Sequence, residues 1–272
     1  MPVRRIAICA DDFALSEPVS RGILDLAANG RLTAIAAMTA GARWPQAWQH
    51  LREIPERVAL GLHLNFVEGK GLADGRPLPG AALLAARTAT FSIPHQALAR
   101  EIAAQWQAFE DLAGRAPDFV DSHRHVHVLP PLRELVLDAV KRHGGGIVVR
   151  NLFPAFGPRN SAAKRLALRL LGAPALARRL GAAGLAANTA FGGLQDFADA
   201  DRIAADWQAM LGELPDGALV ACHPANRLDQ GDPIGVFRLA EFAWLASPAF
   251  AQACRDGGIE LTRPGAADRA LI

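Results

Sequence analysis

The sequence predicts an α/β protein, a deformed, TIM-like (β/α) barrel with a largely parallel sheet and a single domain over residues 1–272, and two observations predict it. Short apolar runs alternate with helical patterns along the chain. The polar residues best suited to chemistry stand where those runs end, the place where parallel barrels build their sites. With 272 residues and 51% hydrophobic content the chain can bury a sizeable core.

Residues 3–10 read as the first strand and run directly into Asp11-Asp12-Phe13. A helix follows from an N-cap at Ser16, carries Val19, Ile23, Leu24 and Leu26 inward, and stops at Asn29-Gly30. Residues 33–40 read as a second strand, 44–54 as a helix and 58–64 as a third strand. A Gly- and Pro-containing loop is expected over 65–93, long enough to carry function or cover a site. Residues 94–112 set Leu98, Ile102, Ala103, Trp106 and Phe109 at helical spacing, a core-facing stripe. Residues 119–123 form the next strand, 130–142 a helix ended by Gly144-Gly145-Gly146, and 147–150 another strand. The stretch 151–187 mixes Pro and Gly with a basic helix, and no strand is assigned there. Residues 200–211 read as a helix, 218–222 as a strand ending in His223-Pro224, 237–245 and 248–256 as helices, and 259–262 as the last strand.

Composition narrows the function classes. Twenty-nine Lys and Arg against 27 Asp and Glu leave a net charge of +2, which argues for neither nucleic acid nor a general acidic partner. The first residues are too short and polar for a signal peptide, and no run approaches a membrane span, so a cytoplasmic location is expected. Cys9, Cys222 and Cys254 are odd in number and widely spaced, which fits reduced, buried residues. Charge is uneven locally, since no Asp or Glu occurs from 139 to 195 while Lys141, Arg142, Arg150, Arg159, Lys164, Arg165, Arg169, Arg178 and Arg179 do. The helix within that stretch is either a solvated face balanced by acids elsewhere in space or a surface for an anionic membrane or substrate.

Three histidines, His123, His125 and His127, occupy alternate positions beside an apolar run. In extended backbone they would share one side, a crowding that invites a metal. Asp11 and Asp12 are adjacent carboxylates at another strand end, and such neighbours repel unless a cation or shared proton separates them. A third run brings His63 and Asn65 to its end, and a fourth brings His223. Each has a plainer reading alone: Asp11 as a helix cap, His63 and His223 as satisfied core histidines, Asn65 as a loop residue. His127 reads as a hydrogen-bonding residue rather than a ligand, and the five tryptophans read mostly as core.

In order along the chain stand Ala10-Asp-Asp-Phe-Ala-Leu-Ser16, Gly61-Leu-His-Leu-Asn65, Asp121-Ser-His-Arg-His-Val-His127 and Cys222-His-Pro224. This set resembles the YdjC family of carbohydrate deacetylases, also called the chitooligosaccharide deacetylase or ChbG/HpnK family. The resemblance implies a deformed barrel that removes an N-acetyl group from an amino sugar with a divalent metal. By position it implies metal ligands at Asp12, His63 and His123, a catalytic base at Asp11, and a His-Pro near the metal at His223. Two departures stand out: Ala14 occupies the place of the family's usual glycine after Asp-Asp-Phe, and Arg124 stands where His or Gln is common. Asp121-Ser-His replaces the Asn-Ala-His of the hopanoid-associated branch, which favours a sugar over a hopanoid substrate, although the basic lobe keeps a lipid-linked or anionic glycan open.

Amide hydrolysis needs an activated water, a polarised carbonyl and a proton for the departing amine. One divalent ion, zinc or else magnesium or manganese, on Asp12, His63 and His123 would supply the first two. Asp11 would then act as general base, and His223 as general acid or oxyanion stabiliser, with Asp121 or His125 orienting a ligand imidazole. The expected partner is a small N-acetylated sugar or oligosaccharide, with no nucleic acid and with a homodimer left open. Two alternatives are a metal-dependent hydrolase of another bond, such as a phosphoester, which would often take a second metal, and a sugar- or lipid-binding protein without activity.

Overall fold

In the computed structural model, which describes residues 2–265 apart from 53, 91, 145, 159, 160, 196 and 198, the centre of the molecule is β1 (Arg4–Phe13). From Ile6 onward β1 is wholly buried, as befits a strand covered on both faces. Helix α1 (Glu17–Ala28) leads to β2 (Ala34–Ala37), and α2 (Trp44–Leu51) leads to β3 (Ala59–Leu64). Helices α3 (Ala81–Ala89) and α4 (His95–Ala113) precede β4 (Phe119–Ser122), and α5 (Pro130–His143) precedes the short β5 (Val148–Val149). Helices α6 (Ala162–Leu171) and α7 (Ala173–Ala183) connect to β6 (Phe191–Gly192). Helix α8 (Ile203–Glu213) precedes β7 (Ala218–Cys222), and α9 (Gly235–Ala246) and α10 (Pro248–Asp256) precede β8 (Ile259–Leu261).

The strands form one eight-stranded sheet in the order β5-β4-β3-β2-β1-β7-β6, with β8 pairing to β1 off that path. Every ladder is parallel. β8 takes Arg4–Ile6, ahead of the stretch from Cys9 onward that pairs with β2. The outer strands approach each other through the isolated parallel bridges Val149↔Ala187 and Ala155↔Phe191. The sheet is thus curled into a deformed TIM-like barrel with helices outside, as the alternation of runs predicted. Parallel order places all strand C-termini at one end, and the site lies there.

Most predicted elements stand within a few residues of their expected ends. Three differ. The expected loop over 65–93 contains α3, whose apolar Leu84 is buried. The stretch 151–187 holds the expected basic helix as α6 and a second helix, α7, that was not expected, and β6, just beyond it, is too short to carry a periodic signal. The strand expected to reach His123 ends at Ser122, and His123–Val128 is a 3-10 turn. Arg159 of the basic stretch, Gly145 of the helix-ending triplet and residues 266–272 of the expected domain lie outside the described residues.

Cys9, Cys222 and Cys254 are free and buried, and Trp44, Trp106, Trp207 and Trp244 are core residues. Among the described residues no helix is long and apolar enough to cross a membrane. Register explains one glycine: Gly61 faces Phe119 across the β3–β4 ladder, and a Cβ there would lie 2.3 Å from the ring. Gly61→Ala should therefore lower stability by about 1–3 kcal/mol, the usual cost of overpacking, measured by urea unfolding.

Candidate active site

β1 delivers two carboxylates to one place by breaking its own alternation. Its register with β2 shifts between Ala10 and Phe13, and Asp12 takes a left-handed backbone with φ 66°. In a regular strand Asp11 and Asp12 would face opposite sides; the bulge turns both toward the same cavity at the C-terminal end of the sheet. Ala14, at φ 74°, is also left-handed, the conformation that favours glycine. The Ser20 hydroxyl accepts the Ala14 N–H at 3.1 Å and fixes this turn.

His63, near the end of β3, stands beside Asp121 on β4 in register. Its Nδ1 donates to Asp121 Oδ1 at 2.6 Å, which leaves Nε2 directed at Asp12 Oδ1, 3.5 Å away. His123 follows β4, with Nδ1 2.8 Å from Asp12 Oδ1 and Nε2 3.2 Å from Glu68 Oε1. One ligand atom from each of Asp12, His63 and His123 lies within 4.8 Å of the others, and all three residues are buried. Both imidazoles thus have a carboxylate at the nitrogen opposite the cluster, the arrangement that orients a ligating histidine. Arg238 donates to Asp12 Oδ2 at 2.8 Å and to Asp232 Oδ2 at 2.7 Å, leaving Oδ1 to face the histidines.

The histidine triplet does not stay on one side as extended backbone would have it. Arg124 and His125 are left-handed, at φ 54° and 59°, so the chain turns between the imidazoles. His123 joins the cluster, His125 stands edge-on to Phe191 at 5.1 Å, and His127 turns into the protein. His127 Nε2 donates to the Arg150 carbonyl at 3.0 Å and its Nδ1 accepts from the Ser122 hydroxyl at 2.8 Å, so it is a structural residue. His125 lines the cavity, and its Nδ1 has no hydrogen-bond partner among the described residues.

Arg150 lies fully buried beneath the cluster. It donates to both oxygens of Asp11, at 2.7 and 2.6 Å, to Cys9 Sγ at 3.1 Å, and pairs with Asp121 Oδ2. Cys9, Asp11 and Asp121 form a second group with metal-ligand spacing, and the guanidinium occupies it as its cation. His223, after β7, lines the cavity with Nε2 3.9 Å from Asp11 Oδ2. Glu241 accepts the His223 N–H at 2.5 Å and the Trp207 indole N–H at 3.1 Å, anchoring the start of the His223-Pro224 turn.

Electrostatics divides these groups. Burial opposes ionisation of Asp11, yet Arg150 and His63 outweigh it and hold the carboxyl well below the usual range. Asp12 is lowered likewise, burial being overcome by His123, His63 and Arg238. Burial opposes charge on the imidazoles too, but neighbouring carboxylates raise His63 to about 10 and His123 to about 9. The cluster therefore favours positive charge, the electrostatic condition for a cation site. Burial dominates at His223 and brings it down to about 4, so that imidazole is neutral at neutral pH. Hydrogen bonding from His123 holds Glu68 down to about 2.

The cavity over this floor measures about 580 Å³ and has polar walls at Glu68, Arg124 and Asp229 and apolar ones at Leu168, Leu171, Phe197 and Ile234. The YdjC-like protein family profile matches residues 5–256. The chain belongs to the YdjC-like family. Among curated relatives, the chitooligosaccharide deacetylase of Citrobacter koseri is 33% identical over 137 residues, 49% of this chain and 54% of that protein. The one from Salmonella heidelberg is 34% identical over 152 residues, 54% of this chain and 59% of that protein. The matched segment spans little more than half the length of these relatives. Among solved structures, an Enterococcus faecalis protein proposed to cleave cellobiose phosphate superposes with a TM-score of 0.70 at 18% identity, covering 96% of this chain and 98% of that one. A family 4 carbohydrate esterase from Streptomyces lividans in complex with acetate gives 0.51 at 11% identity, covering 95% and 91%. Both likenesses are of fold.

In this YdjC-like chain the structure brings together all five residues singled out in the sequence: Asp12, His63 and His123 at the cluster, Asp11 and His223 beside it. Asp121 orients His63, as one of the two readings had it. Asn65 is a loop organiser, its Oδ1 accepting the Val67 and Glu68 N–H groups at 3.1 Å. The sequence reading missed Glu68, Arg238 and Glu241, which lie in a loop and a helix without distinguishing pattern. It also passed over Arg150 as one basic residue among many, although Arg150 follows β5 and the rule of strand C-terminal ends applies to it as well.

Burial raises Glu241 to about 7 against an ordinary 4.5, outweighing its two hydrogen bonds. The folded chain then keeps a proton that the unfolded chain releases, so Glu241 favours folding most below pH 4.5 and progressively less as pH rises through 7. Relative to Glu241→Gln, the native protein should lose about 3 kcal/mol across that window, read from urea unfolding at each pH.

Proposed function

We propose that this protein is a metal-dependent deacetylase that hydrolyses the N-acetyl group of an amino sugar or oligosaccharide. The convergence of Asp12, His63 and His123 on one point, with an ionised Asp11 and a neutral His223 alongside, carries this reading. The names of the curated relatives point the same way. The donor set fits a divalent ion: one carboxylate and two imidazoles, each imidazole backed by a further carboxylate, in a cluster that favours positive charge. Such an ion, when bound, polarises the acetyl carbonyl and acidifies water.

The remaining work falls to the chain's own groups. Asp11 stays ionised under Arg150; its Oδ1 accepts from Arg150 and the Cys9 thiol, while Oδ2 accepts from Arg150 alone and keeps a second lone pair with which to take the proton of the attacking water. His223 is placed 3.9 Å from Asp11 Oδ2 to receive that proton and pass it to the departing nitrogen. The water oxygen thereby bonds to the carbonyl carbon, the C–N bond breaks, and acetate and a free amine result. Arg238 and Asp121 hold Asp12 and His63 in orientation, and Glu68 does so for His123. A phosphoester hydrolase with two metals is less favoured, because the second ligand group is already filled by the Arg150 guanidinium.

Metal analysis of the purified protein with an acetate-release assay on N-acetylated chitooligosaccharides tests the proposal. One divalent ion per chain and acetate release are expected. His63→Ala should lose both the ion and turnover; retention of stoichiometric metal would overturn the ligand set. Asp11→Asn should keep the metal and lose about 10²- to 10⁴-fold in rate, and full activity would move the base elsewhere.

A further inference from the structure

Helix α6 has its apolar residues on the wrong side for a helix of a water-soluble barrel. Only Leu168 among its residues is a buried contact, while Leu166, Leu170 and Leu171 are 57%, 77% and 41% exposed. At about 100° per residue, Ala163, Leu166 and Leu170 fall on one outward face, with Ala167 and Leu171 between that face and the cavity. All five are exposed. Amphipathic surface helices normally turn this stripe inward; an exposed one rimmed by charge marks an interaction surface.

The rim is basic. Arg169 flanks the outward face on α6, Arg178 lies on the adjoining α7, and neither makes a hydrogen bond or ion pair among the described residues. No acidic residue occurs from 139 to 195, a stretch that includes both helices. Three other cations there are engaged: Arg150 with Asp11 and Asp121, Arg179 with Glu134, and Arg165 with the carbonyls of Gly157 and Pro158. On α6 itself Lys164 and Arg165 are engaged, and Arg169 is the cation that stands without a partner among the described residues.

We propose that α6 docks the protein on an anionic lipid bilayer, Leu166 and Leu170 entering the interface and Arg169 meeting the headgroups. A second copy of the chain fits less well, since a two-fold contact through this face would set arginine against arginine. Lys164, Ala167, Leu168 and Leu171 of the same helix line the cavity, so docking brings the cavity mouth to the lipid surface. The docking itself does not depend on the deacetylase reading.

Co-sedimentation with phosphatidylcholine–phosphatidylglycerol vesicles and with pure phosphatidylcholine vesicles tests it, over a range of salt. Binding to the mixed vesicles, weaker binding to the neutral ones, and release by salt are expected. The double variant Leu166→Ser/Leu170→Ser should bind about tenfold more weakly or less still, with unchanged thermal unfolding because both side chains are exposed. Arg169→Glu should lose the preference for anionic vesicles. Absence of binding to the mixed vesicles, or equal binding by the double variant, overturns the proposal. A native dimer that the double variant converts to monomer would overturn it too, assigning the face to self-association. Acetate release from a soluble N-acetylated oligosaccharide, measured on the same proteins, should not change in the double variant, and its presence or absence reports on the deacetylase reading separately.

Discussion

A guanidinium buried among acids organises this molecule. Arg150 bridges Asp11 of β1 and Asp121 of β4, strands that β2 and β3 separate in the sheet, and so ties the two sides of the site across the barrel interior. Desolvating these charges is costly, and their mutual pairing with good geometry offsets the cost, so removal of one partner would leave an uncompensated buried charge. Through Asp121 the same network fixes His63, and through Asp11 it reaches His223. The orientation of His63 and much of the ionisation of the candidate base thus pass through Arg150.

Backbone strain supplies the second constraint. Asp12, Ala14, Arg124 and His125 are left-handed without being glycine, at a cost of about 1–2 kcal/mol each. All four lie just where a strand delivers its ligands. Such strain persists where surrounding contacts over-determine the conformation, and here the contacts are visible: Asp12 is held by Arg238 and His123, Ala14 by Ser20, and Arg124 by Glu68. Alanine at position 14, a departure noticed as a letter in the sequence, is in space an L-residue in a turn that suits glycine.

The curled parallel sheet was legible because buried strands and amphipathic helices leave strong periodic signals, and Asp11, Asp12, His63, His123 and His223 were legible because parallel topology sends strand ends to one place. Other features were not. α3 lies in a Gly- and Pro-rich segment whose composition reads as loop, and β6 has two residues, fewer than a period can register. The divergence of His125 and His127 from His123 followed from a left-handed turn at Arg124 and His125, which residue types at those positions do not announce.

By itself the sequence determined the order of most strands and helices, the five polar residues at strand ends, and the acid-free basic stretch, since these follow from local periodicity, residue chemistry and charge count. Tertiary structure alone decided which of those residues touch. It chose Arg150, Asp121 and Glu68 as the partners that orient and neutralise the cluster, it parted the three histidines, and it left the leucines of α6 facing outward. These are matters of distance between residues far apart in the chain, set by strand register and by the turns at strand ends, and no local pattern encodes them.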